Sequence, residues 1–118
     1  MEAFLNSCRG AGITPVENSL DCDAVVIWSV LWNGRMSKNK RIYEHYRSLE
    51  KPVVVIDAGA LEREVTWKIA VNNITSEGYY GHTENLDYDR PNKLGISLQN
   101  NKLNDKILIA AQHNKSLQ

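Results

Sequence analysis

The sequence predicts an α/β domain with a Rossmann-like parallel sheet and flanking helices. Two uninterrupted apolar runs, AVVIW at 24–28 and VVVI at 53–56, have the pattern of strands that are buried on both faces. Between them, residues 37–50 carry apolar side chains at helical spacing. A strand, a helix and a strand in immediate succession form a βαβ unit, in which the two strands are parallel and the crossover is right-handed.

The residues before the first strand predict two short elements. Residues 2–9 have the pattern of a short amphipathic helix with Phe4 and Cys8 on one face, which the glycines at 10 and 12 would end. The segment ITPVE, residues 13–17, predicts a short extended stretch, because proline is tolerated at the edge or start of a strand.

The helix at 37–50 is predicted from its apolar side chains and from its end. Ile42, Tyr46 and Leu49 recur at helical spacing and form the predicted core face. Pro52 then ends the helix, because the residue before a proline is driven out of the helical region.

The pattern weakens after the second strand. The segment EREVTWKIAV fits either a helix or a helix that leads into an extended segment, and the sequence leaves this open. Residues 72–93 hold turn formers and most of the tyrosines, which predicts a long irregular connection, and LGISL at 94–98 predicts a brief strand.

A third buried-strand pattern, ILIAAQ at 107–112, follows a polar linker. It predicts a division into a Rossmann-like domain at 1–103 and a segment at 104–118. That segment is either a linker with the first strand of a second domain, or the last strand of the first. Because large apolar side chains at 107–111 have no following helix to cover them, self-association through this segment is expected.

Composition limits the class of protein. The chain has 118 residues, about one domain, and 14 acidic residues balance 14 basic ones, so nothing indicates nucleic-acid binding. No apolar run approaches the roughly 20 residues of a membrane span. Cys8 and Cys22 are too few for a disulfide scaffold, which predicts free thiols and a cytoplasmic protein. Scattered histidines predict no metal site, and the absence of nucleotide-cofactor motifs predicts no cofactor.

The loop and helix after the first strand form a candidate anion site. Ligands of open α/β sheets collect at the carboxyl ends of the strands, where helix N-termini expose free N–H groups. The loop brings Asn33 and Gly34 there, and the first turn of the helix carries Lys38, Lys40 and Arg41. These residues predict either a site for phosphate or carboxylate groups, or a solvated basic turn.

Asp57 stands at the carboxyl end of the second predicted strand. It is a candidate general base or acceptor for substrate hydroxyls, with the small residue Gly59 allowing a ligand to approach the backbone. The alternative is that Asp57 caps the next helix by accepting hydrogen bonds from its free N–H groups. The sequence does not decide between these two roles.

Aromatic side chains gather between residues 67 and 88. Trp67, Tyr79, Tyr80 and Tyr88 lie among asparagines and glycines. Flat rings beside amides suit a sugar or a nucleobase. Alternatively, the rings hold a long loop against the core.

The chain resembles a known family over residues 20–118. Its order is AVVIWSVLWNGR, a helix, KPVVVIDAGALER, a tyrosine-rich stretch and ILIAAQHNKSLQ. This resembles the amino-terminal half of capsule-polysaccharide-type glycosyltransferases of bacteria and their phages. In that family an acid, a glycine, a bulky apolar residue and an arginine follow one strand, which matches Asp57, Gly59, Leu61 and Arg63. The sequence differs from the pattern at Ala58 and Glu62.

The resemblance implies a GT-B architecture of which this chain is the acceptor half. The reaction would transfer a sugar from a sugar nucleotide to a hydroxyl, with Asp57 as base or acceptor contact and Arg63 as part of the motif. The basic residues of the first helix would meet an anionic sugar or phosphate, and the chain would be inactive alone. The alternative functions are a small module that binds a nucleotide or sugar phosphate, and a structural interaction domain.

Overall fold

The computed structural model describes residues 2–17, 19–33, 36–62, 64–82, 84 and 86–97. Its elements, in chain order, are helix α1 (Glu2–Gly10), strand β1 (Val25–Trp28), helix α2 (Ser37–Ser48), strand β2 (Val53–Ala58), strand β3 (Trp67–Val71) and the one-turn helix α3 (Arg90–Lys93). The predicted helix at 2–9, the two apolar strands and the helix between them are confirmed within one or two residues at each end.

The first two strands form the predicted parallel pair. Val25 lies opposite Val53 in the register, and Trp28 lies opposite Ile56. Helix α2 connects the two strands and packs against them. The carboxyl ends of β1 and β2 therefore lie side by side at one edge of the sheet.

The third strand corrects the prediction of a parallel sheet. Strand β3 pairs with the other side of β2 and runs antiparallel to it, with Ala58 opposite Trp67 and Val54 opposite Val71. Its connection to β2, residues 59–66, is shorter than the dozen or so residues that a parallel crossover needs. The observed fold is therefore a small mixed α/β domain with sheet order β1-β2-β3.

The core lies between the sheet and α2. Tyr46, in the last turn of α2, is fully buried, and its hydroxyl donates a hydrogen bond to the Leu20 carbonyl at 3.1 Å. Alternation along β2 directs Val53 and Val55 toward the same side, where both are fully buried. The buried cluster as a whole consists of Ile27, Val30, Tyr46, Val53, Val55, Ala70 and Ile74.

Two local predictions are wrong. Leu49 does not belong to the core face: α2 ends at Ser48, and Leu49 is 50% exposed in the turn that follows. The expected extended stretch at 13–17 has no regular secondary structure and does not join the sheet. Residues 94–97 form a turn and coil after α3, so the part of LGISL that the structure describes is not a strand either.

The connection after β3 is irregular, as predicted, but it is tied to the sheet. Asn72 has a left-handed φ of 68°, donates its N–H to the Val53 carbonyl at 2.6 Å and accepts the Val53 N–H on its side chain at 3.2 Å. Tyr79 then pairs with Val71 in an isolated bridge. These bonds fold residues 72–79 back toward β3, and Ile74 joins the core.

The second face of the sheet is less covered in the described part of the chain. Val26 and Ile69 are 43% and 44% exposed on the side away from α2. Trp67 packs edge-on against Trp28 there, with ring centroids 5.2 Å apart, and Phe4 of α1 lines a small apolar cavity beside them. The predicted strand at 107–111, its self-association and the proposed division at 103 all fall outside the described residues.

The cysteines and the helices bear on what the composition predicts. Cys8 and Cys22 are both free thiols, as predicted. Within the ranges given above, none of the helices has the length and apolar character that crossing a bilayer would require.

The buried Tyr46 hydroxyl predicts a loss of stability at alkaline pH. Burial, reinforced by Cys22, raises its pKa above the ordinary value of 10.0. Above pH 10 the unfolded chain releases this proton while the folded chain keeps it, so the free energy of unfolding should fall as the pH rises through that range. Tyr46→Phe should show a smaller fall in urea unfolding followed from neutral pH to about pH 11. The same fall in both proteins would contradict this assignment.

Candidate functional site

The carboxyl ends of the parallel strands bring two polar side chains into contact. Ser29, directly after β1, donates its hydroxyl to Asp57 Oδ2 at 3.1 Å. The Ala58 N–H donates to Asp57 Oδ1 at 2.8 Å. The carboxylate is half-buried and is held by two donors from two neighbouring strand ends. We call Ser29 and Asp57 the strand-end pair.

Ser29 is held in an unusual backbone conformation. Its φ is 58°, in the left-handed region that L residues rarely adopt, and its N–H donates to the Ile56 carbonyl at 2.8 Å. Only 3% of Ser29 is exposed, and it is the buried polar residue of the described part of the chain. Its hydroxyl oxygen also accepts the Leu31 N–H at 3.2 Å. Such strain in a buried polar residue is typical of functional sites.

The alternative role of Asp57 as a helix cap is wrong. A turn and the antiparallel strand β3 follow β2, and Asp57 Oδ1 bonds the adjacent N–H of Ala58. In the register of β3, Lys68 lies opposite Asp57, so both side chains project toward the same face of the sheet.

The turn between β2 and β3, and not the approach of a ligand, requires a glycine at position 59. A Cβ at this position would overlap the carbonyl oxygen and hydroxyl of Thr66, and the Gly59 N–H donates to that carbonyl at 2.9 Å. The Thr66 hydroxyl in turn exchanges hydrogen bonds with the backbone of Glu62. The space that was expected to admit a ligand is occupied by the turn between β2 and β3.

The basic first turn of α2 lies beside the strand ends. The Asn39 side chain donates to the Trp28 carbonyl at 2.9 Å, which ties this turn to the end of β1. Lys38, Lys40 and Arg41 are exposed, and Lys40 lies 3.7 Å from the Glu44 carboxylate. An anion site here stays a prediction.

The remaining loop and motif residues are placed as follows. Asn33 is exposed in the loop that precedes α2. Gly34 and Arg63, which the sequence also assigned to substrate binding, lie outside the described residues.

The predicted aromatic group does not form one surface. Trp67 and Lys68 are consecutive in β3, so they project to opposite faces: Trp67 contacts Trp28, whereas the Lys68 ammonium lies 5.5 Å from the Tyr80 ring centroid. The Tyr80 hydroxyl donates to the carbonyls of Ile74 and Thr75. Tyr80 thus holds the loop in place, as the alternative interpretation expected.

A different aromatic group lines a surface cavity of about 260 Å³. Trp32 and Tyr43 are half-buried with ring centroids 5.1 Å apart and a tilt of 48° between their planes. Loop residues that follow β3 complete the lining. The full lining, which we call the aromatic cavity, is Val30, Trp32, Tyr43, Asn73, Thr75 and Glu77.

The sequence did not single out Ser29 or most of the cavity residues. Ser29 could have been found, because it follows an apolar strand just as Asp57 does. Trp32 lies in a loop already expected at the strand ends, and Asn73 was noted among the aromatics. Tyr43, Thr75 and Glu77 carry no motif, and only the folded loop brings them together.

Comparison with protein-family models, curated proteins and solved structures found no match for this chain. Among the residues that the structure describes, no group of three or more histidine, cysteine or carboxylate side chains could hold a metal ion. The fold and the site therefore define a small mixed α/β domain with a carboxylate positioned at the ends of its parallel strands.

Proposed function

We propose that this chain is the acceptor-side domain of a glycosyltransferase, in which Asp57 receives the hydroxyl group that is to be glycosylated. The observation that carries the proposal is the hydrogen bond between Ser29 and Asp57 across the ends of two parallel strands. Ligands of open α/β sheets bind at this edge. The resemblance of residues 20–118 to acceptor halves of such enzymes supports the same role.

The carboxylate of Asp57 retains acceptor capacity. An ionised carboxylate has about four lone-pair positions, and the hydroxyl of Ser29 and the N–H of Ala58 use two of them. Within the described part of the chain no other donor bonds this carboxylate, which leaves the remaining positions to a ligand hydroxyl. Because the Ser29 hydroxyl and the Ala58 N–H are both fixed by the backbone around them, the carboxylate is oriented before a ligand arrives.

In the proposed reaction Asp57 is the base. The acceptor hydroxyl oxygen forms a bond to the anomeric carbon of the donor sugar while the bond from that carbon to the nucleotide phosphate breaks. The hydroxyl proton moves to the Asp57 carboxylate, and the nucleotide leaves with the bonding electron pair. Ser29 is a positioning residue, since it holds the carboxylate and need not touch the substrate.

The test is a binding comparison on the isolated chain. Cellotetraose and tetragalacturonate serve as neutral and anionic oligosaccharides, and UDP-glucose as a sugar nucleotide, each followed through backbone amide resonances. An oligosaccharide should shift the amides of Ser29 and Ala58. Asp57→Asn should weaken its binding about tenfold or more, because hydrogen bonds to charged groups contribute about 1.5–3 kcal/mol.

Asp23→Asn is the matched control, because Asp23 is exposed and lies outside the strand-end pair. It should leave binding unchanged. If UDP-glucose alone binds, with shifts confined to Ser37–Lys40, the chain is a nucleotide or sugar-phosphate module and the acceptor-side role is wrong. No shift with any of the three probes at millimolar concentration would contradict both functions.

A further inference from the structure

We propose that the aromatic cavity binds a small organic ammonium group, such as a methylated ammonium head. Its lining includes neither Ser29 nor Asp57, so no residue of the proposed glycosyl transfer is part of it. Its lining combines two aromatic rings, a carboxylate and two polar loop residues.

The cavity walls are fixed by hydrogen bonds. The Tyr43 hydroxyl donates to the Asn72 carbonyl at 2.8 Å, which joins α2 to the loop after β3. Asn73 accepts the N–H groups of Ile74 and Thr75 on its Oδ1 and donates from Nδ2 to Glu77 Oε2 at 3.0 Å. The Tyr43 ring and the Glu77 carboxylate are therefore each held by a hydrogen bond before a ligand enters, and both line the same space as Trp32.

The negative charge of the cavity lining favours a cationic ligand. Glu77 carries the one formal charge among the six lining residues, and it is negative. Trp32 and Tyr43 also line the cavity, and aromatic rings carry a negative potential over their faces. An anion is therefore disfavoured, and a cation gains from both the rings and the carboxylate, which is how aromatic sites recognise quaternary ammonium groups.

The size of the cavity limits what enters it. Its volume of about 260 Å³ is below the roughly 300–1,000 Å³ typical of pockets for drug-sized ligands. Glu77 is exposed, so the cavity opens to solvent on that side. A methylated ammonium head fits such a space while the rest of a larger molecule extends outward.

Choline and its uncharged analogue 3,3-dimethyl-1-butanol test the proposal, because they have the same shape and differ in charge. Binding is followed through the indole N–H resonance of Trp32, assigned by the Trp32→Phe variant. Choline should bind saturably and about five- to tenfold more tightly than the alcohol, as a cation over aromatic rings predicts.

The variants separate charge from shape. Glu77→Gln keeps the hydrogen bond from Asn73 and should weaken choline binding about fivefold without changing the binding of the alcohol. Glu17→Gln, at an exposed position away from the cavity, should change neither. Asp57→Asn should also change neither, so failure here is distinguishable from failure of the proposed glycosyl transfer.

Equal binding of choline and the alcohol would overturn the proposal, because the cavity would then select shape alone. Unchanged choline binding in Glu77→Gln would overturn it as well. The proposal would also be overturned if choline at tens of millimolar did not shift the Trp32 indole resonance. It would be overturned as well if the same resonance showed tighter binding of cellotetraose than of choline.

Discussion

Tyr46→Ala is expected to lower the free energy of unfolding by about 3–5 kcal/mol, because Tyr46 is the largest fully buried side chain among the described residues. Tyr46 is fully buried between α2 and the sheet, and its ring contacts the residues that form the core. Typical domains have only about 5–15 kcal/mol of stability in total, so this loss is a large fraction of the whole and should lower the urea midpoint markedly. Urea unfolding followed by circular dichroism measures the loss.

Two controls separate the ring from the hydroxyl. Tyr46→Phe keeps the ring and removes the hydrogen bond to the Leu20 carbonyl, which should cost about 1 kcal/mol. Tyr88→Ala removes a ring that is 84% exposed and should stay within about 0.5 kcal/mol of the parent. If Tyr46→Ala and Tyr88→Ala lost the same stability, α2 would not pack on the sheet as described.

Gly59→Ala is expected to destabilise the domain by about 1–3 kcal/mol or more and to disturb the strand-end pair. The added methyl group would overlap the backbone carbonyl of Thr66, so the turn between β2 and β3 must move. Gly59 lies two residues after Asp57, and the movement should reach the carboxylate. Urea unfolding gives the stability, and the amide resonances of Asp57 and Ala58 report the local change.

Gly10→Ala is the matched control for the loss of a glycine. No atom lies within 4 Å of a Cβ at this position, which is the last residue of α1. The substitution should therefore leave stability unchanged or slightly raised. A Gly59→Ala variant as stable as Gly10→Ala would show that β3 does not approach β2 in the way the register describes.

The local patterns were sufficient to predict β1, α2 and β2. Each is a run of apolar residues with the period of its own secondary structure, and a crossover helix between two buried strands leaves a parallel pair as the favoured arrangement. For β3 the sequence left open whether residues 67–71 are helical or extended, because WKIAV is only partly buried and its pattern is weak. Strand β3 runs antiparallel because the turn after β2 is short, and a hydrophobic pattern does not reveal the direction of the strand that follows.

The site was predicted at Asp57 but not at its partner. The position of an acid at the end of a buried strand can be read from the sequence, because parallel strands end at the same edge. The position of Ser29 after a strand can be read in the same way, but its left-handed φ and its burial, which fix its bond to Asp57, cannot. The aromatic residues were grouped because they are close in the sequence. Alternation along β3 places Trp67 on one face of the sheet and Lys68, which contacts Tyr80, on the other.

The most direct measurement of the central proposal is the carboxyl-carbon resonance of Asp57 in the ¹³C-labelled chain. If Asp57 receives an acceptor hydroxyl, adding cellotetraose or tetragalacturonate should shift this resonance saturably. Nuclear Overhauser contacts should then appear between sugar protons and the amides of Ser29 and Ala58, and both effects should disappear in Asp57→Asn. An oligosaccharide that binds the chain without moving the Asp57 resonance, with contacts only to other residues, would contradict the proposed acceptor site.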